Sequence, residues 1–362
     1  MAGNKNLNSA AKAKKDEFYT QMADIENELR HYKTAFKDKV VFCNCDDPYE
    51  SEFFKFFALK FNVLGLKKLI TTCYDGSPIA QQELSFSENS NKKPYKLELN
   101  EVKDWNGDGA IDLLDVEYYL KNNEIPTLKG NGDFRNEECV ELLKEADIVV
   151  TNPPFSLFRE YVKQLIDYDK KFLIIGNVNA ITYKEIFFLL MNNRIWLGAS
   201  IHSGDREFRV PDSYPLNAVG FRTDEKGIKY IRVKGVRWYT NLDYSTRHED
   251  IPLWRNYSPE DYPKYDNYDA IEISKTADIP CDYDGVMGVP ITFIDKYNPD
   301  QFEILGMCEN LDLYGLKTKI YTSQECRDQY FKLFGKKGTY DLNAAGVING
   351  KKVYQRILIR RR

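Results

Sequence analysis

Short apolar runs alternate with amphipathic stretches along the first 200 residues. Residues 39–45 (KVVFCNC) predict a buried strand, closed by Asp46-Asp47-Pro48. In the segment ESEFFKFFALKF that follows, Phe53, Phe57 and Phe61 recur every four residues, which places them on one helix face. Residues 67–74 (KKLITTCY) predict a second strand. ECVELLKEAD predicts a helix, with Asn136 at the N-cap and Glu137 and Glu138 in the first turn. DIVVTN, residues 147–152, predicts a further strand. After it, SLFREYVKQLIDY sets Leu157, Phe158, Tyr161, Val162, Leu165 and Ile166 on one stripe. KKFLIIGNV and RIWLGAS predict two more strands. Between them Thr182-Tyr183-Lys184-Glu185 reads as a capping box opening a helix that runs to about Asn192. Apolar strands alternating with amphipathic helices imply an α/β fold: a mostly parallel, twisted sheet with helices on both faces.

From about residue 200 the texture changes. Tyr, Asp, Asn and Pro become dense, and helical periodicity fades. Two parts are therefore expected: residues 1–200, carrying an insert at about 100–128, and residues 201–362, a β-rich or irregular module returning one or two strands to the first sheet.

Composition narrows the classes. The chain has 362 residues, 43% hydrophobic and 29% charged, which excludes disorder and collagen-like repeats. No run approaches 18 apolar residues, so no membrane span is expected. The amino terminus, MAGNKNLNSAAKAKK, is basic with no apolar core, so it does not read as a secretory signal. Seven scattered cysteines without a C-x-x-C pair suit reduced thiols in the cytosol. Only His31, His202 and His248 are present, which leaves little material for histidine-based catalysis. The formal net charge of −4 means that any nucleic-acid surface must be local.

Asn152-Pro153-Pro154-Phe155 carries the strongest chemical signal. It lies at the carboxyl end of a strand and the start of a helix, where ligands bind in open α/β sheets. The Asn152 side-chain oxygen and the Pro153 carbonyl can accept two hydrogen bonds from an exocyclic amine. The prolines fix their φ angles, and Phe155 offers a ring on which a flipped base can stack. The plainer reading is a strand-to-helix turn with proline at the first helical position. Residues 104–115 form a second, independent pattern that matches a calcium loop. Asp104, Asn106, Asp108, Ala110, Asp112 and Asp115 stand at ligand spacing, with Gly109 at the turn position. An Asx-rich surface turn is the alternative. Lys229, Arg232, Lys234 and Arg237 lie within nine positions, and Arg360-Arg361-Arg362 end the chain; either group can contact phosphates or form a solvated charged face.

Several segments together resemble the EcoRI-type adenine-specific DNA methyltransferases, S-adenosylmethionine-dependent amino-methyltransferases with an N-P-P-F tetrad. They are DEFYTQ (16–21), DIENELRHY (24–32), VVFCNCDDP (40–48), GDFR (132–135), DIVVTNPPFSLFREY (147–161) and YDKKFLIIGNVNAITYKE (168–185). YPKYDNYDAI (262–271), DYDGVMGVPITF (282–293) and RILIRRR (356–362) extend the resemblance to the carboxyl terminus. It implies a Rossmann-like methyltransferase domain with a DNA target-recognition module, and sequence-specific methyl transfer to N6 of a flipped-out adenine in double-stranded DNA. Asn152, Pro153, Pro154 and Phe155 would be the catalytic residues. Tyr19, Thr20, Asp46, Asp47, Pro48, Asp133 and Phe134 would hold S-adenosylmethionine, and Lys229, Arg232, Lys234 and Arg237 the DNA. The Gly-x-Gly of the general methyltransferase pattern is missing after Pro48, where Tyr49-Glu50-Ser51-Glu52 follows. The resemblance also implies a monomer in the cytoplasm of a bacterial or phage-infected cell, alongside a separately encoded restriction endonuclease. The calcium loop would brace the insert with a structural Ca2+. Cytosine-N4, RNA or protein amide methylation, or an inactive DNA-binding scaffold, are the alternatives.

Overall fold

The computed structural model describes residues 19–45, 51–74, 94–210 and 220–362. The chain divides into two compact units, residues 1–188 with 195–244, and residues 189–194 with 245–362. The first unit therefore extends past the change of texture near residue 200.

The first unit opens with α1 (Met22–Leu29) and β1 (Val40–Cys43), which is buried at every position. α2 (Glu52–Leu64) follows because Ser51 accepts hydrogen bonds from the Phe53 and Phe54 amides, at 3.1 and 3.3 Å. Gly65, at φ 63°, then ends the helix in the left-handed conformation. Phe53, Phe57 and Phe61 are buried as the spacing predicts, and Phe54 and Phe56 join them. Each phenylalanine contributes roughly 1.5–3 kcal/mol by leaving water. β2 (Lys68–Thr72), β3 (Lys96–Leu99), α3 (Leu113–Asn122), α4 (Glu137–Glu145) and β4 (Ile148–Thr151) come next. Beyond the tetrad lie α5 (Phe158–Asp167), β5 (Lys171–Asn177), α6 (Lys184–Met191), whose last three residues fall in the second unit, and β6 (Trp196–Leu197). β7 (Asp205–Val210), β8 (Arg222–Thr223), β9 (Lys229–Lys234) and β10 (Val236–Thr240) complete the unit.

Seven strands form one sheet in the order β3-β2-β1-β4-β5-β10-β6. β2, β1, β4 and β5 are mutually parallel, whereas β3 runs antiparallel to β2 and β10 antiparallel to both β5 and β6. The sheet is mixed, less parallel than the helix alternation implies. Between β6 and β10 the described chain runs through the strands of a separate sheet, with no crossover helix among the described residues to set β10 parallel. Val41, Cys43, Leu69, Ile148, Val150 and Leu173 share one core with the phenylalanines of α2. The alternating Phe42, Ile70, Val149 and Phe172 are buried on the opposite face. β7, β9 and β8 form a separate three-stranded sheet, whose Phe208, Val210, Ile231 and Val233 join the same core.

Two expected caps are built differently. The Asn136 side chain makes no cap bond and donates to Asn131 instead. Thr182 ends a 3-10 turn and donates to the Asn179 carbonyl at 2.7 Å, so it does not cap α6.

The second unit contains β11 (Ile271–Glu272), β12 (Met287–Pro290), β13 (Phe302–Met307), α7 (Ser323–Phe334), β14 (Val347–Ile348), β15 (Lys351–Lys352) and β16 (Arg356–Arg361). Its main sheet has the order β11-β12-β16-β13. Arg356 and Glu272 form a buried ion pair at 2.5 Å, and the Tyr265 hydroxyl also donates to Glu272. α7 breaks the expectation of an irregular module. A capping box between Thr322 and Glu325 starts it and Gly335 stops it, but only Cys326 along it is buried, so no apolar stripe announces it.

Candidate active site

Parallel strands bring their carboxyl ends to one edge of the sheet. The register pairs Cys43 with Thr71, Phe42 with Val149 and Thr151 with Ile174. Carried one residue on, it sets Thr72, Asn44 and Asn152 along that edge. Asn152 is half-buried, Pro153 is buried, and Phe155 packs partly against the core of the first unit. Pro154 stands at φ −55°, ψ 122°, and its carbonyl accepts from the Leu157 amide at 3.0 Å, so the tetrad enters α5 through a single 3-10 turn.

α5 ties separate segments to the tetrad. The Tyr161 hydroxyl donates to Oδ1 of the buried Asn44, just past β1. The Tyr161 ring meets Phe134 edge to face at 5.0 Å, and Gln164 Nε2 donates to the Phe134 carbonyl at 3.0 Å. The 132–135 turn thus packs beside the end of β1. Gly132, at φ 77°, lies so close to β2 that a Cβ there would stand 2.1 Å from the Cys73 carbonyl oxygen. Only glycine fits this approach. Asn44 and Tyr161 lie within segments that resemble the family, but nothing in the sequence singles them out as site residues, and Gln164, just beyond the second of these segments, carries no such signal.

Asp133 already has a partner. The Arg135 side chain donates to it at 2.6 and 2.8 Å and holds its carboxyl below the usual carboxylate range, and Arg135 also reaches Glu160 of α5 at 3.2 Å. Phe134 is buried. Tyr19 pairs through its backbone with Arg209 of β7, at 3.0 and 3.2 Å. Three side-chain oxygens, Thr20 Oγ1, Thr72 Oγ1 and Gln164 Oε1, are buried with no hydrogen-bond partner among the described residues. Such an atom costs about 1–3 kcal/mol when nothing satisfies it, so each of them can take a hydrogen bond from or to a polar ligand. Asp46, Asp47 and Pro48 lie outside the described residues.

The basic cluster separates on folding. Arg232 and Lys234 are exposed on the outward face of the three-stranded sheet, and Lys229 is half-buried opposite Val210. Arg237 does not share that surface: it is buried and donates to the Val236 and His202 carbonyls, at 2.8 and 2.6 Å. By register, Arg209 and Arg222 join the outward face, Arg222 lying 4.3 Å over the Tyr230 ring and pairing with Glu207 at 2.5 Å. The terminal arginines are held within the second unit. Arg360 pairs with Glu303 at 2.5 Å, while Arg361 and Arg362 donate to the Cys281 and Phe302 carbonyls.

Residues 104–115, the calcium-loop candidate, form a compact turn. Among the described residues no group of three His, Cys, Asp or Glu is arranged to hold a metal ion. The loop closes on its own amides. Asp104 accepts from Gly107, Asp108 and Gly109, and the buried Asp115 from Trp105, Asn106 and Asp112, at 2.6–3.1 Å. Asn106 and Asp108 accept from the Asp108 and Ala110 amides, and Asp112 caps α3. These carboxylates satisfy the loop backbone.

All seven cysteines are free thiols. No helix among the described residues is long and apolar enough to cross a membrane.

Residues 6–362 match the family model described as adenine-specific methyltransferase EcoRI. The chain is 50% identical over 313 residues to the type II methyltransferase M.EcoRI of Escherichia coli, covering 86% of this chain and 91% of that protein. It is 35% identical over 363 residues to the type II methyltransferase M.MpnI of Mycoplasma pneumoniae, covering 98% of each. No solved structure matches the chain.

Proposed function

The chain belongs to the family of EcoRI adenine-specific methyltransferases and is a DNA adenine methyltransferase, and from that premise we propose which residues carry the reaction. Asn152 Oδ1 and the Pro153 carbonyl accept hydrogen bonds from N6 of a flipped-out adenine and aim its lone pair at the methyl group. Phe155 stacks on the base. Flipping costs a few kcal/mol, which stacking and the two hydrogen bonds offset. S-adenosylmethionine, the methyl donor that methyltransferases of this family generally use, supplies an electrophilic sulfonium methyl. The chain's task is to hold the amine in line, so positioning by a rigid tetrad carries most of the acceleration. The observation that supports this reading best is the pair of ties from α5 to Asn44 and Phe134, since one helix then orients tetrad and cofactor wall together.

Tyr19, Thr20, Asp133 and Phe134 are proposed for the cofactor, together with Asp46, Asp47 and Pro48, which follow β1 in the chain. Asp133 keeps Arg135 and accepts the cofactor's adenine amine on a remaining lone pair. Arg232 and Lys234, with Arg209 and Arg222 on the same outward face, are proposed for duplex DNA, together with Lys229 at the strand's end, whose register with Val210 sets it on the other side of the sheet; Arg237 is withdrawn because its guanidinium is engaged inside the fold. The names of the relatives, as type II methyltransferases, support a separately encoded restriction endonuclease as functional partner. Nucleoside analysis of DNA treated with the protein and S-adenosylmethionine tests the reaction. N6-methyladenine is the expected product. N4-methylcytosine, or methylation of RNA or protein with none of DNA, would overturn it.

A further inference from the structure

The second unit carries a basic and aromatic surface that the reaction itself does not use. Residues 319–354 hold seven Lys or Arg against three Asp or Glu, in a chain whose formal net charge is −4. The fold gathers them. α7 ends at Gly335, and the following Lys336-Lys337 turn folds back so that Gly338 lies against the Tyr330 ring. The Tyr330 and Phe334 rings lie tilted against each other at 4.7 Å, and Phe334 meets Tyr340 edge to face at 6.1 Å. The β14–β15 hairpin turns through Asn349 and Gly350, both at positive φ, and docks on the same helix, Gly350 lying against Gln329. Its Lys352 amide donates to the Tyr340 hydroxyl at 3.2 Å, and its ammonium lies 5.0 Å from that ring.

Two features suit a polyanionic ligand. Lys332, Lys336, Lys337, Lys351 and Lys352 form no ion pair among the described residues. Between these cations Phe331 and Phe334 remain 60% and 53% exposed, although phenylalanine gains by burial. A second copy of the same patch would set like charges against each other, so self-association does not suit it. A polyanion with apolar edges does, and the substrate of this enzyme is one.

We propose that the α7 end and the β14–β15 hairpin form a second DNA-binding surface, in which the lysines bind duplex phosphates and Phe331 and Phe334 lie against the sugars. The proposal rests on the DNA substrate of the preceding reading. Phosphate contacts carry no sequence information and act through counterion release, so they set affinity and register while leaving the choice of base to other residues.

The test is duplex binding by fluorescence anisotropy at several salt concentrations, with a K336Q/K337Q/K351Q/K352Q variant of the full chain. The log–log salt slope should become shallower by about 0.9 for each phosphate no longer neutralised, about 3 or more in all. Affinity should fall alike for substrate and unrelated duplexes, while kcat at saturating DNA stays within about twofold. K121Q, on exposed α3, should leave the slope unchanged. A folded variant with the wild-type slope would overturn the second surface and leave the methyltransferase reading intact, whereas wild-type protein that binds no duplex at any salt would sink both. Self-association of DNA-free protein that disappears in the variant would also overturn it, in favour of a second copy. Lysine acetylation of wild-type protein with and without duplex supplies a readout that needs no variant. Protection of Lys336, Lys337, Lys351 and Lys352 by DNA is expected, and equal labelling would count against the surface.

Discussion

Asn152 stands one residue beyond a strand buried at all four positions, held by a proline on its carboxyl side and by the sheet on the other. Its proposed hydrogen bond is fully formed only when the amine is in line with the methyl group. Asn152→Ala should therefore lower turnover by about 100-fold or more, with S-adenosylmethionine affinity changed by less than about threefold. Single-turnover rates and titration calorimetry check the two halves, and near-normal turnover would remove Asn152 from the mechanism. Asp133 is engaged differently, because Arg135 already neutralises it. Asp133→Ala should weaken S-adenosylmethionine by about 1–3 kcal/mol, the cost of stranding the cofactor's amine donor. Arg135→Ala is the control for the salt bridge alone. If both variants weaken the cofactor equally, the carboxylate acts only by holding the turn.

At the scale of elements, the 104–115 loop shows how one pattern of acidic residues admits two structures. Calcium spacing and an Asx-rich turn both need short oxygen acceptors close to the backbone. Here the backbone amides take them, and Asp115, accepting three, joins the start of the loop to the start of α3. Asp115→Asn replaces one acceptor oxygen with a donor that faces an amide, so the melting temperature should drop by several degrees. Wild-type melting curves should coincide in calcium and in chelator, and methyl transfer should persist in chelator. A calcium-dependent rise in melting temperature would show that the loop reorganises around an ion after all. α7 makes the complementary point. Its caps are legible in Thr322, Glu325 and Gly335, but its exposed aromatic and basic faces erase the periodicity by which helices are usually recognised.

Across the whole molecule, several carboxylates are held below their usual range. Asp133 and Glu207 owe this first to hydrogen bonds from Arg135 and Arg222. Asp115, Asp224 and Glu325 owe it first to backbone amides, those of Asp112, Ile228 and Thr322. A carboxyl that is more acidic in the folded than in the unfolded chain contributes stability above the ordinary carboxylate pKa, and that stability disappears as pH falls through the folded value. Asp24, raised by burial, works in the opposite direction but is a single group. The melting temperature should accordingly fall on acidification below about pH 4. A melting temperature that holds constant from pH 6 to pH 3 would contradict this.

The sequence by itself determined what depends on near neighbours. Alternation and four-residue spacing located β1, α2, β4, α5 and β5. The run Asn152-Pro153-Pro154-Phe155 located the candidate chemistry, because a strand end, two fixed φ angles and an aromatic ring are adjacent in the chain. Only the tertiary structure decided which distant groups meet. Periodicity states which residues are buried but not against what, so the antiparallel entry of β10 and the resulting mixed sheet depended on strand pairing. The same holds for the ties from Tyr161 to Asn44 and from Gln164 to Phe134. Charge spacing states that Lys229, Arg232, Lys234 and Arg237 are close, but the carbonyls of Val236 and His202 were needed to turn Arg237 inward. The lysines of the α7 end and of the β14–β15 hairpin became one surface for the same reason: a helix stop and a hairpin turn are local, and their packing against each other is not.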